Sequence, residues 1–423
     1  MRFSVYTQTI EYQHRMLQRH FIVLRDDATG AVVRFTNFHE FIRGGKPSVA
    51  RSIASHDRNR FIAVCQLLNY AFFDRYNINA LTEISLETVK NFLRDYGLCE
   101  LPTDNPTTTR KKEIVEKCVM YVIDFLSELL KEYPQSFAFK MSDLWEEREY
   151  FSKSKRRRET KRVPAFPVVV KDNFDAPLLR DLPEDVFQII FRQVMNDNPR
   201  LLMLVALQAF AGLRPSEACN VRRVDSPLGP GMLFTIENGE VTNIAIDLRA
   251  ELVLRSDGVT VGGIKKERLQ RVYPAFLPAF VECYNIYMKA IEGTKYETEY
   301  GALSNNRNGM AFTYAAYNAA FKQIVENSIP TMLASSDSRV VNYGLLLQEA
   351  KIAPHIFRHW FTIKLVQYGE NVAGLQYWRG DKSPESAITY IENKSDLIAE
   401  LKKVTDFAYD FSQLAAQEMY GNV

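Results

Sequence analysis

LFTIENGEVTNIAIDL, residues 233–248, sets two β-type runs on either side of Asn238-Gly239. A two-residue hairpin turn of type I′ needs positive φ at both central positions, and Asn-Gly meets that need at the least steric cost. The stretch therefore predicts an antiparallel hairpin. On its amino-terminal side, LPEDVFQIIFRQVM (182–195) and PRLLMLVALQAFAGL (199–213) carry helical apolar spacing, and Gly212 ends the second. On its carboxy-terminal side a second β pair is expected from VTVGGIKK (259–266) and QRVYPAFL (270–277). Helical patterns return from about Tyr314. Helices, a small antiparallel sheet, then helices again define an α+β class, mostly helical.

Further out, RNRFIAVCQLLNYAFF (58–73) reads as a helix. SLETVKNFLRDYG (85–97) reads as another, with Ser85 as N-cap, Thr88 at the third helical position and Gly97 as the stop. KKEIVEKCVMYVIDFLSELLKEYP (111–134) is a long amphipathic helix closed by Pro134. Before these, two short apolar runs between His20 and Phe38 flank Asp26-Asp27-Ala28-Thr29-Gly30, a hairpin signal. The expected organisation is a small β-containing extension (1–50), a helical domain (51–152), a linker (153–178), the α+β domain (179–395) and a helical tail (396–423). The tail has two readings: packing on its own domain, or docking on a neighbouring protomer.

The chain has 423 residues, 46% hydrophobic and 25% charged, which excludes fibrous, collagen-like and wholly disordered classes. No apolar run reaches membrane-spanning length, and MRFSVYTQTIEYQ lacks the apolar centre of a secretory signal. Five scattered cysteines suit reduced thiols rather than a disulfide framework. With 53 basic and 51 acidic residues the net charge is +2, so only local clustering bears on nucleic acid. The run 153–162 clusters: seven of its ten residues are basic, and Pro164 and Pro167 follow. It is either a solvated charge run or a strand tracking a phosphate backbone through Lys155, Arg156, Arg157, Arg158, Lys161 and Arg162. Its place between two domains favours a linker closing a clamp around a duplex.

Three segments carry chemistry. GLRPSEACNV (212–221) puts Arg214 between a helix stop and a new helix, with Pro215 in the first turn and Glu217 three residues after the Arg. PHIFRHWFTIKLVQYG (354–369) puts His355 and Arg358 on one helix face, with Phe357, Trp360 and Phe361 for the core. His355 and His359 also share a metal-like i, i+4 spacing, but no acidic base or third ligand accompanies them, so no metal is expected. YWRGDKSPESAITYIENKSDL (377–397) has a turn at 380–383 and a short helix opened by Pro384 that carries Tyr390.

In this order, Arg-x-x-Glu, His-x-x-Arg and a glycine turn with Tyr 32 residues after the second Arg, these segments resemble the tyrosine recombinase (phage integrase) family. The resemblance covers about residues 180–400; the helical 56–150 region matches the family's core-binding domain in size and character only. It implies that Arg214 and Arg358 hold the phosphate, that Tyr390 is the nucleophile and that His355 contacts the phosphate and helps proton transfer. Lys265, with Lys266 as the alternative one register step away, would be the general acid. Glu217 would orient Arg214 and His355. The family implies double-stranded DNA as partner, a homotetramer on two duplexes, a cytoplasmic and nucleoid-associated setting, no cofactor, and a mobile-element integrase. A type IB-like topoisomerase and a catalytically silent DNA-binding relative are the alternatives.

One position departs from the family. Where His or Trp usually follows the glycine, this chain has Asp381. A carboxylate facing a phosphodiester is repulsive unless it is bonded to a cation or protonated. The preferred expectation is that the turn directs Asp381 to solvent and a neighbouring side chain fills the gap; the other is that Asp381 bonds an active-site cation. Trp378 is the nearby ring, with core packing as its preferred role.

Overall fold

The computed structural model describes residues 1–12, 14–42, 55–105, 109–152, 157–171, 182–350 and 352–381. The chain divides into two compact units: Met1–Ile10 with Leu17–Asp175, and Glu11–Met16 with Ala176–Val423.

In the first unit a sheet is ordered β1 (Arg2–Tyr12), β2 (Arg15–Arg25), β3 (Val32–Phe35). The expected hairpin is the β2–β3 pair, with Val23 opposite Phe35. Its turn is built locally: Asp26 Oδ1 accepts from the backbone N–H of Ala28 (3.0 Å) and Thr29 (2.8 Å), and Gly30 supplies φ +68°. Three helices follow, α1 (Ser55–Asn69), α2 (Leu86–Leu98) and α3 (Lys112–Glu132). They bury Phe61, Leu68, Val89, Phe92, Val122 and Phe125 in one apolar core.

Ser85 caps α2 as expected, its Oγ accepting from Thr88 N–H at 3.1 Å. Gly97 does not stop that helix. The helix runs to Leu98 and Cys99 takes the left-handed conformation (φ +61°). Gly97 is instead a close-approach glycine, since a Cβ there would lie 1.8 Å from the carbonyl oxygen of Val169.

The helical reading of 51–152 also fails at its end. Helix α4 (Met141–Leu144) passes into β4 (Trp145–Ser152), which pairs antiparallel with β5 (Arg157–Pro164), Trp145 opposite Pro164 and Ser152 opposite Arg157. The region expected as linker, 153–178, is thus in part a strand. Charges fall on both faces of β4 (WEEREYFS), so the apolar period that marks a strand is missing.

The second unit is built around α6 (Leu202–Ala211), every residue of which is buried. It follows α5 (Glu184–Asp197) and precedes the short α7 (Pro215–Ala218). The sheet is ordered β6 (Met232–Glu237), β7 (Glu240–Leu248), β8 (Arg268–Arg271). Asn238 and Gly239 make the turn with φ of +52° and +86°, and Glu237 stands opposite Glu240. The second pairing expected from 259–266 is absent. Those residues are irregular, and β8 pairs with β7, Leu248 opposite Arg268. Gly262 and Gly263 interrupt that run and leave nothing to hold a ladder.

Helices α8 (Leu277–Ala290), α9 (Tyr314–Leu333), α10 (Ser338–Glu349), α11 (Ile356–Gln367) and α12 (Val372–Arg379) complete the unit. Helix α6 packs against α8 and α11. Trp360 of α11 stacks on Phe187 at 4.2 Å between ring centres. Among the described residues no helix is long and apolar enough to cross a membrane.

Candidate active site

Gly212 ends α6 with φ +67°, in a space where a Cβ would lie 2.4 Å from the Phe361 ring. That turn presents Arg214 at the start of α7. Glu217, fully buried, closes the turn by accepting from Arg214 N–H at 3.0 Å and from Arg214 Nη1 at 2.9 Å. It also accepts from Arg268 at the start of β8, Nη2 at 2.9 Å and Nη1 at 3.2 Å. Burial alone raises a carboxyl, but the hydrogen bonds and charge of Arg268, with the charge of Arg214, outweigh it and hold Glu217 at about 2.

Helix α11 supplies His355 and Arg358. Arg358 is 1% exposed; its Nη1 donates to the carbonyl of Gly212 and its Nη2 to Asp381 Oδ1 at 2.8 Å. Burial, and then the charges of Arg214 and Arg379, lower Arg358 to about 9, still charged at neutral pH. His355 is lowered to about 3 by burial first, then by His359, Arg358, Arg214 and Arg379. It is a neutral imidazole at pH 7. Its ring meets that of His359 edge to face at 4.9 Å.

Asp381 contradicts the preferred expectation. It is buried, and Oδ1 accepts from Arg214 Nη2 at 2.6 Å as well as from Arg358. Its Oδ2 forms an ion pair with Arg379 Nε at 3.0 Å. The physical reason is the number of cations that converge: the carboxylate is drawn in by three guanidiniums, a field one side chain's polarity does not reveal. Four arginines (214, 268, 358, 379) stand with two carboxylates (Glu217, Asp381), leaving two positive charges while His355 is neutral.

The lysines lie on the approach to β8. Lys265 is exposed and Lys266 half-buried, its carbonyl accepting from Arg268 Nη1 at 2.9 Å. The preceding glycines are latched to α7: Ser216 Oγ donates to the carbonyl of Gly263 (2.9 Å), and Asn220 Nδ2 to those of Gly262 (2.9 Å) and Ser216 (2.8 Å). Trp378 is half-buried against the core, its ring edge-on to Tyr273 at 5.0 Å between centres. Tyr390 lies outside the described residues, as do Lys155 and Arg156.

In the other unit Arg157, Arg158, Lys161 and Arg162 are on β5. The last three are exposed, and Arg162 lies over the Trp145 ring at 4.9 Å. They alternate with acidic partners: Arg162 faces Glu147 and Arg158 is 3.8 Å from Glu149.

Sequence reasoning missed Arg268 and Arg379. Arg268 belongs to no spaced motif and is found only through the β7–β8 register. Arg379 carried a signal, an Arg and an Asp flanking Gly380. Gly380 has φ +60°, and a Cβ there would lie 2.4 Å from Arg268 Nε.

No family model and no curated protein matches this sequence. Solved structures do. A structure of the Tn1549 transposon integrase in complex with a circular intermediate DNA aligns at TM-score 0.51 and 15% identity, over 87% of this chain and 98% of that one. Another of the same integrase, with transposon right end DNA, aligns at TM-score 0.50 and 16% identity, over the same shares of the two chains, 87% and 98%. With its helical domains, small antiparallel sheets and ordered arginine boxes, this chain has the tyrosine recombinase fold.

Proposed function

We propose that this chain is a site-specific DNA recombinase that cuts and rejoins double-stranded DNA through a 3′-phosphotyrosyl intermediate, integrating or excising a mobile element. The observation that carries the reading is the meeting of Arg214 and Arg358 on one anion, beside a neutral His355. Two guanidiniums that are charged at neutral pH suit a pentacoordinate phosphorus, where negative charge grows on the non-bridging oxygens. In this reading Tyr390 Oη attacks the phosphorus. A P–O bond to tyrosine forms and the P–O5′ bond breaks. The 5′ oxygen takes a proton from Lys265, or from Lys266, and His355 takes the phenolic proton. Glu217 acts through Arg214 and Arg268 by fixing their guanidiniums. Rejoining reverses these steps, so neither ATP nor a metal is part of the reaction. The reading extends to a homotetramer holding two duplexes, in the cytoplasm with the nucleoid, and to β5 as the basic strand that tracks the phosphate backbone.

The test uses nicked duplexes with a randomised centre. The full chain is expected to form covalent adducts, whose sequencing identifies the target. Tyr390→Phe is expected to retain DNA binding and form no adduct. Failure of the parent chain to form any adduct overturns the proposal. Pairing of two duplexes in a mobility-shift assay separates a recombinase from a topoisomerase-like enzyme.

A further inference from the structure

Helix α12 ends by bringing a third arginine to the anion that Arg214 and Arg358 already share. Arg379 is 6% exposed, and the left-handed turn at Gly380 sends Arg379 and Asp381, two residues apart, to the same place. The turn is fixed by the Asp381 N–H, which donates to the carbonyl of Gln376 at 3.1 Å. Burying a guanidinium carries a desolvation penalty that packing alone does not require, since an apolar side chain fills a helix end without it. Three such cations around one point also repel one another. The single carboxylate of Asp381 lies among all three, at 2.6 Å from Arg214, 2.8 Å from Arg358 and 3.0 Å from Arg379.

We propose that Arg379 is a third arginine acting on the scissile phosphate, and that Asp381 is the positioning residue that aligns the three guanidiniums; this rests on the recombinase reading above. The charges support it. Three cations less one carboxylate leave two positive charges. A phosphodiester carries one negative charge, and its pentacoordinate state, once the tyrosine oxygen has added, carries two. The cluster therefore matches the transition state better than the ground state, which is the condition for accelerating the step rather than tightening binding. Arg379 with Asp381 thereby takes the place of the ring usual after the glycine.

The test measures single-turnover adduct formation by the full chain on the duplex recovered from the randomised library, with duplex affinity and melting temperature beside it. Arg379→Met removes the charge and keeps most of the volume. The expected result is a melting temperature at or above the parent's, affinity within about threefold, and cleavage slowed on the order of a hundredfold. Arg379→Lys is expected to retain more cleavage than Arg379→Met. Asp381→Asn is expected to slow cleavage at least about tenfold, with Asp381→Glu recovering part of it. Should a single variant fold poorly, the double variant Arg379→Met/Asp381→Asn removes one cation with the anion and keeps the net charge of the cluster; its cleavage is expected to stay slow, because the third guanidinium and the group that aligns the other two are both gone. Parent-like cleavage in Arg379→Met or in the double variant makes the pair structural and overturns the inference. Faster cleavage in Asp381→Asn does too, because the carboxylate would then be an obstacle in the phosphate's place. Either result, with adducts still formed by the parent, leaves the recombinase reading standing. A parent without adducts overturns both.

Discussion

In the β4–β5 hairpin Arg158 lies 3.8 Å from Glu149, with the two side chains 83% and 70% exposed. Between α7 and β8, Arg214 and Arg268 close on Glu217, whose side chain is 0% exposed. The residue types are the same and the energetics are not. Exposed pairs contribute about 0–1 kcal/mol because water and salt screen them. Removing the carboxylate from this buried set costs about 3–5 kcal/mol because its two guanidiniums remain charged without a partner. The first arrangement leaves its cations available to a large anion. The second spends its interactions on holding a fixed geometry. An exposed charged strand pair and a buried charge cluster are thus built from one alphabet, separated by burial.

The strongest challenge to this contrast is Glu217→Gln. It is expected to lower stability by about 3 kcal/mol or more in chemical denaturation and to reduce adduct formation below detection. A stability change like that of a surface substitution would erase the distinction. Acid titration sharpens it. The folded Glu217 carboxyl is held at about 2 against an ordinary 4.5. Its contribution is full above pH 4.5 and is lost as pH falls toward 2, amounting to about 3 kcal/mol at one unit per 1.36 kcal/mol. The parent should therefore lose most of that, about 2.5 kcal/mol more stability than Glu217→Gln, between pH 6 and pH 2.5. Parallel curves would show that the carboxylate is not the group responsible.

On the hairpin side, replacing Arg156, Arg157 and Arg158 with Gln is expected to leave stability within about 0.5 kcal/mol. It should weaken binding to all DNA sequences alike and flatten the slope of log K against log salt by about 0.9 per lost phosphate contact. An unchanged slope returns the run to a solvated face. The smallest effect is expected for Glu149→Ala, within about 0.5 kcal/mol in stability. A larger loss would mean that the hairpin's ion pairs are structural after all.

The parts of this molecule written locally were legible in the sequence. Asn238-Gly239 specified its turn, Ser85 its cap, and Arg214, His355 and Arg358 stood at spacings that a helix start or one helix face turns into neighbours. Features that depend on meeting across the chain were not. Asp381 looked misplaced because two of its three partners come from 167 and 23 residues away. Arg268 reaches Glu217 across 51 residues. Strand β4 was invisible for another reason: an exposed hairpin with charge on both faces has no apolar alternation to betray it. Gly97 was misread because a helix stop and a close approach both ask for the same residue, and only the neighbour, Val169, tells them apart.

The latch between α7 and the 262–263 glycines constrains how this protein can change. A side chain at position 262 would put its Cβ 2.8 Å from the carbonyl oxygen of Ser216 and 2.9 Å from that residue's Cβ, while Ser216 itself holds Gly263. Positions 216, 220, 262 and 263 are therefore coupled: a side chain at 262 fits only if Ser216 moves, and Ser216 and Asn220 hold the two glycines by their carbonyls. Arg214 sits two residues before that set and Lys265 two residues after it. Exposed arginines such as Arg158 can be replaced one at a time without disturbing the fold, but the offset between Arg214 and Lys265 can be revised only by coordinated steps.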